Sequence, residues 1–328
     1  IVKDDKIISI GQTGYGGRPH AESKAINTSF QNLEGAKMYV TLEPCNHYGK
    51  TPPCTKSIIR SGIKEVFYSI NDIDKKVKGK SYKILREKKI KVKKGLLKNE
   101  AKDLYDSYII NRKYKLPYVT GKIAITKNKL IYSEGIKRIT EQTSDKLTHY
   151  LRSRHDGIMI SSKTLNIDNP KLNCRLKGFE KFSPKRIILD KNLDINLNSY
   201  IFRSVKNRNT IIFYSISKSP KIRILKKKGA ILVKVKLDNK EFDLMNVLRR
   251  LFILDIRTLL VEGGDKLTSK MLKNGLFNQF YLFKSQKKLF KTKKNVIFSS
   301  GAILNNKYKF KSKIRSKLAK DNITIYKR

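Results

Sequence analysis

The chain has 328 residues, 39% of them hydrophobic, with three cysteines and a formal net charge of +47. That length suits two ordinary domains with sizeable cores. No apolar run approaches the roughly 18 residues of a membrane span, and three cysteines in so long a chain argue against a disulfide framework.

The charge admits a nucleic-acid partner, since lysine and arginine release counterions from phosphate backbones. Most of it is lysine, however, spread along the whole chain beside abundant Ile and Asn, the residue set an AT-rich genome encodes. There is no arginine-rich arm, no helix-turn-helix signature and no basic stripe interleaved with aromatics. Compositional drift accounts for the bulk of the charge, and a nucleic-acid partner is not expected. The opening "IVKDDKIISIG" has no signal-peptide pattern and no starting Met. The N-terminus reads as cut, and a reducing cytoplasm is the default.

Residues 1–14 predict strand, turn at Asp4-Asp5, strand. Helices follow over 20–33, 53–62 and 80–90, alternating with strands over 36–44, 63–72 and 91–97. An amphipathic helix over 99–116 ends at Pro117, a domain boundary. The pattern then restarts with a strand over 118–126, a helix over 143–155 and a strand over 157–162. A polar loop, 166–175, leads to strands at 184–190, 209–216 and 230–236. A helix over 243–255, a strand-Gly-Gly-helix unit over 258–275 and a strand over 279–285 complete the alternation. The class is α/β, in two domains, 1–114 and 115–328.

Chemistry concentrates in the first domain. "PHAE" places His20 and Glu22 one residue apart, and "TLEPCNHYGKTPPC" adds Cys45 and Cys54. Imidazole and thiolate are zinc ligands, and a catalytic zinc takes three protein ligands and leaves a fourth position for water. Glu22, on the first turn of the helix that begins at His20, can reach that water and pass its proton to a leaving amine without ligating the metal. H-x-E followed by P-C…C is the zinc-deaminase arrangement. The alternatives are His20 as a helix cap beside buried cysteines, and a closed structural site with His47 as fourth ligand.

Eight residues separate the cysteines, where many base deaminases have two. The motif "PHAE…TLEPC.H.G.TPPC" resembles the deaminase domain of the bifunctional riboflavin-biosynthesis deaminase-reductase family. The resemblance implies a cytidine-deaminase-like fold and, as substrate, a diaminohydroxypyrimidine bearing a phosphoribosylamino group, which loses ammonia by hydrolysis. It also lays His47, Gly49, Lys50 and Thr51 over the substrate. The family's first helix and a Pro-Asn-Pro loop would lie upstream of Ile1, so the domain reads as N-terminally truncated.

In the second half, "LLVEGGDKL" puts Gly263-Gly264 at a helix start, where backbone N–H groups can receive phosphate. It is not the G-x-G-x-x-G pattern. The pieces "P.V..K.A", "RIT", "LR…DGIMISSKTLNIDNPKL..R", "P.RIILD" and "LLVEGG" are similar to the reductase half of the same family. This implies a dihydrofolate-reductase-like fold that uses NADPH to turn the ribosyl group into a ribityl chain. By the same resemblance Ala124, Thr164, Asp168 and Gly264 contact NADPH, while Arg152, Leu172, Arg175 and Glu262 contact the substrate. A homo-oligomer is also implied. The chain departs from the family at "TKNK" (126–129) and at Ile136 and Arg138. Cys174 reads as structural. A base deaminase with a basic accessory domain fits neither the cysteine spacing nor the "EGG" half.

Overall fold

The computed structural model describes residues 1–49, 51–132, 138–206, 209–290, 295–314 and 320–328. The chain forms two compact units, Ile1–Tyr114 and Lys115–Arg328. Among the described residues no helix is long and apolar enough to cross a membrane.

The first unit runs β1 (Val2–Lys3), β2 (Lys6–Ile7), α1 (Ala21–Asn27), β3 (Lys37–Leu42), α2 (Cys54–Arg60), β4 (Glu65–Ile70), α3 (Lys80–Glu87), β5 (Lys91–Lys94) and α4 (Lys98–Tyr114). Its sheet has the order β2-β1-β3-β4-β5, with β3, β4 and β5 parallel and β1 antiparallel to its neighbours. Asp4 and Asp5 both take positive φ, as the β1–β2 turn requires. Met38 and Val66 face a core shared with Ala25 of α1, Ile58 of α2 and Leu85 of α3. Helix α1 ends at Asn27, six residues short of the expected end. The Thr28 N–H and hydroxyl both donate to the Lys24 carbonyl, and Phe30 beyond it is fully exposed.

The second unit runs β6 (Tyr118–Ile125), β7 (Leu130–Tyr132), α5 (Gln142–Ser153), β8 (Gly157–Ser161), α6 (Ser162–Asp168), β9 (Lys185–Leu189), α7 (Tyr200–Arg203), β10 (Thr210–Tyr214), α8 (Pro220–Lys227) and β11 (Ile231–Lys234). It continues through β12 (Leu237–Asp238), β13 (Glu241–Phe242), α9 (Leu244–Ile253), β14 (Thr258–Val261), α10 (Asp265–Lys273), β15 (Gln279–Lys284), β16 (Val296–Ile297), α11 (Gly301–Lys307), β17 (Lys309–Ile314) and β18 (Asn322–Lys327). A nine-stranded sheet has the order β11-β10-β9-β8-β14-β6-β15-β18-β17. It is parallel from β11 to β15, and β18 and β17 extend it antiparallel.

The parallel strands are near-continuous apolar runs because both faces are covered. Met159, Ile187, Ile211 and Leu259 enter one core, while Ile158, Ile188, Ile212 and Leu260 enter the other. The loop expected over 166–175 begins inside a helix. The Ser161 hydroxyl accepts from the Thr164 N–H and starts α6, which ends at Asn169 in the left-handed conformation.

Candidate active sites

Helix α1 opens immediately after His20, whose side chain makes no capping bond. The ring turns instead to the cysteines: Nδ1 lies 3.2 Å from Cys54 Sγ and 3.4 Å from Cys45 Sγ. Cys45 follows the end of β3, and Cys54 is the first residue of α2, whose N–H donates to Cys45 Sγ at 3.3 Å. The three ligand atoms lie within 4.8 Å of one another.

Zinc bonds of about 2.0–2.3 Å at tetrahedral angles need N–S edges of roughly 3.5 Å, so the donors and spacing fit that ion. Among the described residues no other His, Cys, Asp or Glu joins the cluster. His47 lies outside the cluster, and among the described residues its buried Nδ1 has no hydrogen-bond partner.

The electrostatics suit cation binding. The Cys54 thiol donates to Cys45, which is held at about 4 by that bond and by His20. Cys54 is pushed up, first by that same bond and then by burial. The proton shared between the two sulfurs is the one a metal displaces. His20 is raised by its hydrogen bond with Cys45. Glu22 is buried in the first turn of α1, and desolvation raises its carboxyl.

Around this cluster the Arg18 guanidinium lies against His20 Nε2. Among the described residues Arg18 Nε and Asn46 Oδ1 are buried without partners. Neither was expected; both stand beside the motif letters rather than in them. Gly49 and Thr51 flank Lys50, which lies outside the described residues.

In the second unit, Arg152 of α5 and Glu262, which follows β14, meet as a bidentate pair. Nε donates to Oε1 and an Nη donates to Oε2, both at 2.8 Å, while the other Nη donates to the Asn173 carbonyl at 3.1 Å. Burial alone would raise the Glu262 carboxyl, but the adjacent Arg152 charge and its hydrogen bonds hold it at about 2. Arg175 is exposed, with one Nη donating to Asn173 Oδ1. Leu172 takes φ +50° and is only 2% exposed, packed in a core, so little of it is open to the substrate it was expected to touch.

Gly264 precedes α10 and offers no side-chain cap to its first N–H groups. A Cβ on Gly264 would stand 3.5 Å from Thr164 Oγ1. That is an ordinary contact distance, so the position has room for a side chain, and what it presents is the uncapped N–H groups at the start of α10. Asp168 closes α6, its carboxyl raised by burial. Ala124 lies on β6 opposite Phe283 of β15.

Lys122, absent from the expected site, sits two residues before Ala124 and so on the same face of β6. Its ammonium lies 4.9 Å from the Phe283 ring centroid. Burial lowers its pKa, opposed by the charge of Glu262. The "P.V..K.A" motif and the period of two together could have found it. Of the departures, 126–129 form a tight connection in which the Thr126 hydroxyl donates to Asn128 Oδ1 and accepts from the Leu130 N–H. Arg138 pairs with Asp145 at 3.1 Å, and Ile136 lies outside the described residues. Cys174 is buried, its backbone N–H donating to Ser183 Oγ.

Residues 1–70 match the cytidine and deoxycytidylate deaminase zinc-binding region, and residues 129–320 match the RibD C-terminal domain. The riboflavin biosynthesis protein RibD of Aquifex aeolicus is 35% identical over 86% of this chain and 78% of its own length. That of Bacillus amyloliquefaciens is 34% identical over 86% and 76%. A Thermotoga maritima diaminohydroxyphosphoribosylaminopyrimidine deaminase/5-amino-6-(5-phosphoribosylamino)uracil reductase superposes with a TM-score of 0.82 at 31% identity, covering 99% of this chain and 90% of the other. The riboflavin biosynthesis reductase of Saccharomyces cerevisiae superposes with a TM-score of 0.51 at 20% identity, covering 70% of this chain and 99% of the other. A deaminase zinc-binding region thus precedes a RibD C-terminal domain. The chain belongs to the RibD family of riboflavin biosynthesis, bifunctional enzymes that use zinc for a deamination and NADPH for a reduction.

Proposed function

We propose that residues 1–114 carry the deamination and residues 115–328 the reduction, acting on one phosphorylated pyrimidine in turn. The observation that carries the first assignment is the convergence of His20, Cys45 and Cys54 beside the buried Glu22. When bound there, zinc supplies the Lewis acidity that makes water a nucleophile near neutral pH. His20, Cys45 and Cys54 hold the ion. Glu22 takes a proton on its carboxylate and returns it to the departing amine, which leaves as ammonia. Its burial excludes bulk water from that exchange.

In the second unit Thr164, Gly264, Asp168 and Ala124 receive NADPH. Arg152, Glu262 and Arg175 hold the sugar phosphate, a dianion suited to guanidinium donors, with Leu172 packed behind them. Free Cys45, Cys54 and Cys174 suit a reducing cytoplasm. By family likeness the protein self-associates, and its lysine charge serves no nucleic acid.

Glu22→Gln is expected to keep zinc while ammonia release stops. Unchanged release would remove Glu22 from the mechanism. For the second unit the test is NADPH oxidation with the already deaminated sugar phosphate; turnover is expected, and none from folded, zinc-loaded protein would refute the assignment. Tight, salt-sensitive RNA binding would overturn the reading of the charge.

A further inference from the structure

Glu43 is 2% exposed and sits two residues before Cys45. Its carboxylate accepts three backbone N–H bonds. Oε2 receives Asp72 at 3.2 Å and Gly79 at 3.0 Å, and Oε1 receives Ser81 at 3.3 Å. Gly79 and Ser81 belong to the start of α3, whose own N-cap residue, Gly79, has no side chain to satisfy these donors. Glu43 thus caps α3 from a different element, the end of β3, with its negative charge at the positive end of the helix.

The tie continues along the chain. The Glu43 N–H donates to Ile70 of β4. The next residue, Pro44, has a fixed φ and no donor, and its carbonyl accepts the Ser81 hydroxyl. Cys45 follows, its carbonyl accepting the Thr55 N–H of α2 and its sulfur the Cys54 N–H. Cys45 is therefore held between two helix starts, α3 upstream through Glu43 and Pro44, and α2 downstream.

We propose that Glu43 is a positioning residue for the deaminase metal, fixing the Cys45 sulfur by locking residues 43–45 to the N-terminus of α3. This rests on the assignment of Cys45 as a ligand. A carboxylate is required because three donors converge on it. An amide would accept with its oxygen only and turn its own N–H groups toward donors. Groups that orient metal ligands typically govern metal affinity by about 10–100-fold.

The test compares the parent protein with Glu43→Gln, Ser81→Ala and Cys45→Ser. Zinc affinity is measured by competition with a chromophoric chelator, and the cobalt-loaded forms are compared by visible absorption. Thermal unfolding of the metal-free proteins reports folding, and NADPH oxidation by the second unit serves as an internal control. Glu43→Gln is expected to weaken zinc binding about 10–100-fold and shift the cobalt bands. Ser81→Ala, which keeps the carboxylate, should give a smaller effect in the same direction and covers the case in which Glu43→Gln fails to fold. If Glu43→Gln only lowers the metal-free unfolding temperature, with parental zinc affinity and cobalt spectrum, Glu43 is a helix cap and the proposal falls. If Cys45→Ser binds zinc like the parent, the ligand assignment fails first, and the two failures are told apart.

Discussion

Replacing Glu262 by leucine removes one half of an ion pair whose side chains are only 11% and 13% exposed. Arg152 would keep its charge and lose two of its three acceptors, retaining only the Asn173 carbonyl. Breaking a buried pair in this way costs about 3–5 kcal/mol. For a unit of this size each kcal/mol lowers the melting temperature by about 2–4 °C, so the second unit should melt about 6–20 °C lower. Arg152→Met leaves a buried carboxylate and should cost a similar amount. The double variant removes both charges, and replacing a buried pair by apolar groups is often neutral or stabilising. It should therefore recover most of the loss.

Differential scanning calorimetry on the four proteins completes the cycle, with the second unit's transition followed separately. The exposed pair Lys266–Glu241, 88% and 39% exposed, is the control, and Lys266→Gln should cost no more than about 1 kcal/mol. Reductase turnover should stay lost in the stable double variant, which separates the scaffold from the site. The reasoning is refuted if Glu262→Leu alone costs less than about 1 kcal/mol, or if the double variant loses the sum of the singles.

The same pair sets an acid limit. Glu262 is held at about 2 against an ordinary 4.5, so it contributes stability that is fully present above about 4.5 and lost as pH falls toward 2. Glu262→Leu should accordingly flatten the acid limb of the unit's stability profile. Stripping zinc with a chelator should abolish ammonia release while NADPH oxidation with the deaminated substrate continues; loss of both would show that the metal sustains the second unit as well. Arg175→Ala should raise KM in the reductase reaction by about 10–150-fold, the worth of a charged hydrogen bond, with little change in melting. Gly121→Ala places a Cβ within 2.3 Å of the Phe280 ring and 2.8 Å of Phe277. Overpacking of this kind costs about 1–3 kcal/mol, readable in urea titrations as a lower midpoint at constant slope.

The metal cluster was legible in sequence because its chemistry is local: His20 and Glu22 share a helix start, and Cys45 and Cys54 bracket one loop. The parallel strands were legible because burial on both faces leaves unbroken apolar runs such as "RIILD" and "TIIFY". The closing strands were not. β17 reads "KFKSKI" on the sheet's outer edge, its residues mostly exposed, so no apolar run marks it. Helix α6 has seven residues and one buried side chain, Leu165, too little for a periodic signal. The Arg152–Glu262 pair joins residues 110 apart, and the role of Glu43 depends on α3 folding back to it. Neither pairing is visible in residue type.

The position of β6 bears on how the chain is made. The strand lies between β14 and β15, its Gly121 opposite Phe280, 159 residues later. At about 5–20 residues per second of synthesis, β6 waits roughly 8–30 s for that neighbour. In the first unit β3 meets β4 after 28 residues, Lys37 opposite Glu65. That sheet can close while the ribosome is still at work on the second. During the wait Val119, Ile123 and Ile125 have no finished core to enter, and apolar strands left unpaired are open to wrong partners. Slowed translation beyond residue 125 should therefore endanger the reductase half and spare the deaminase half.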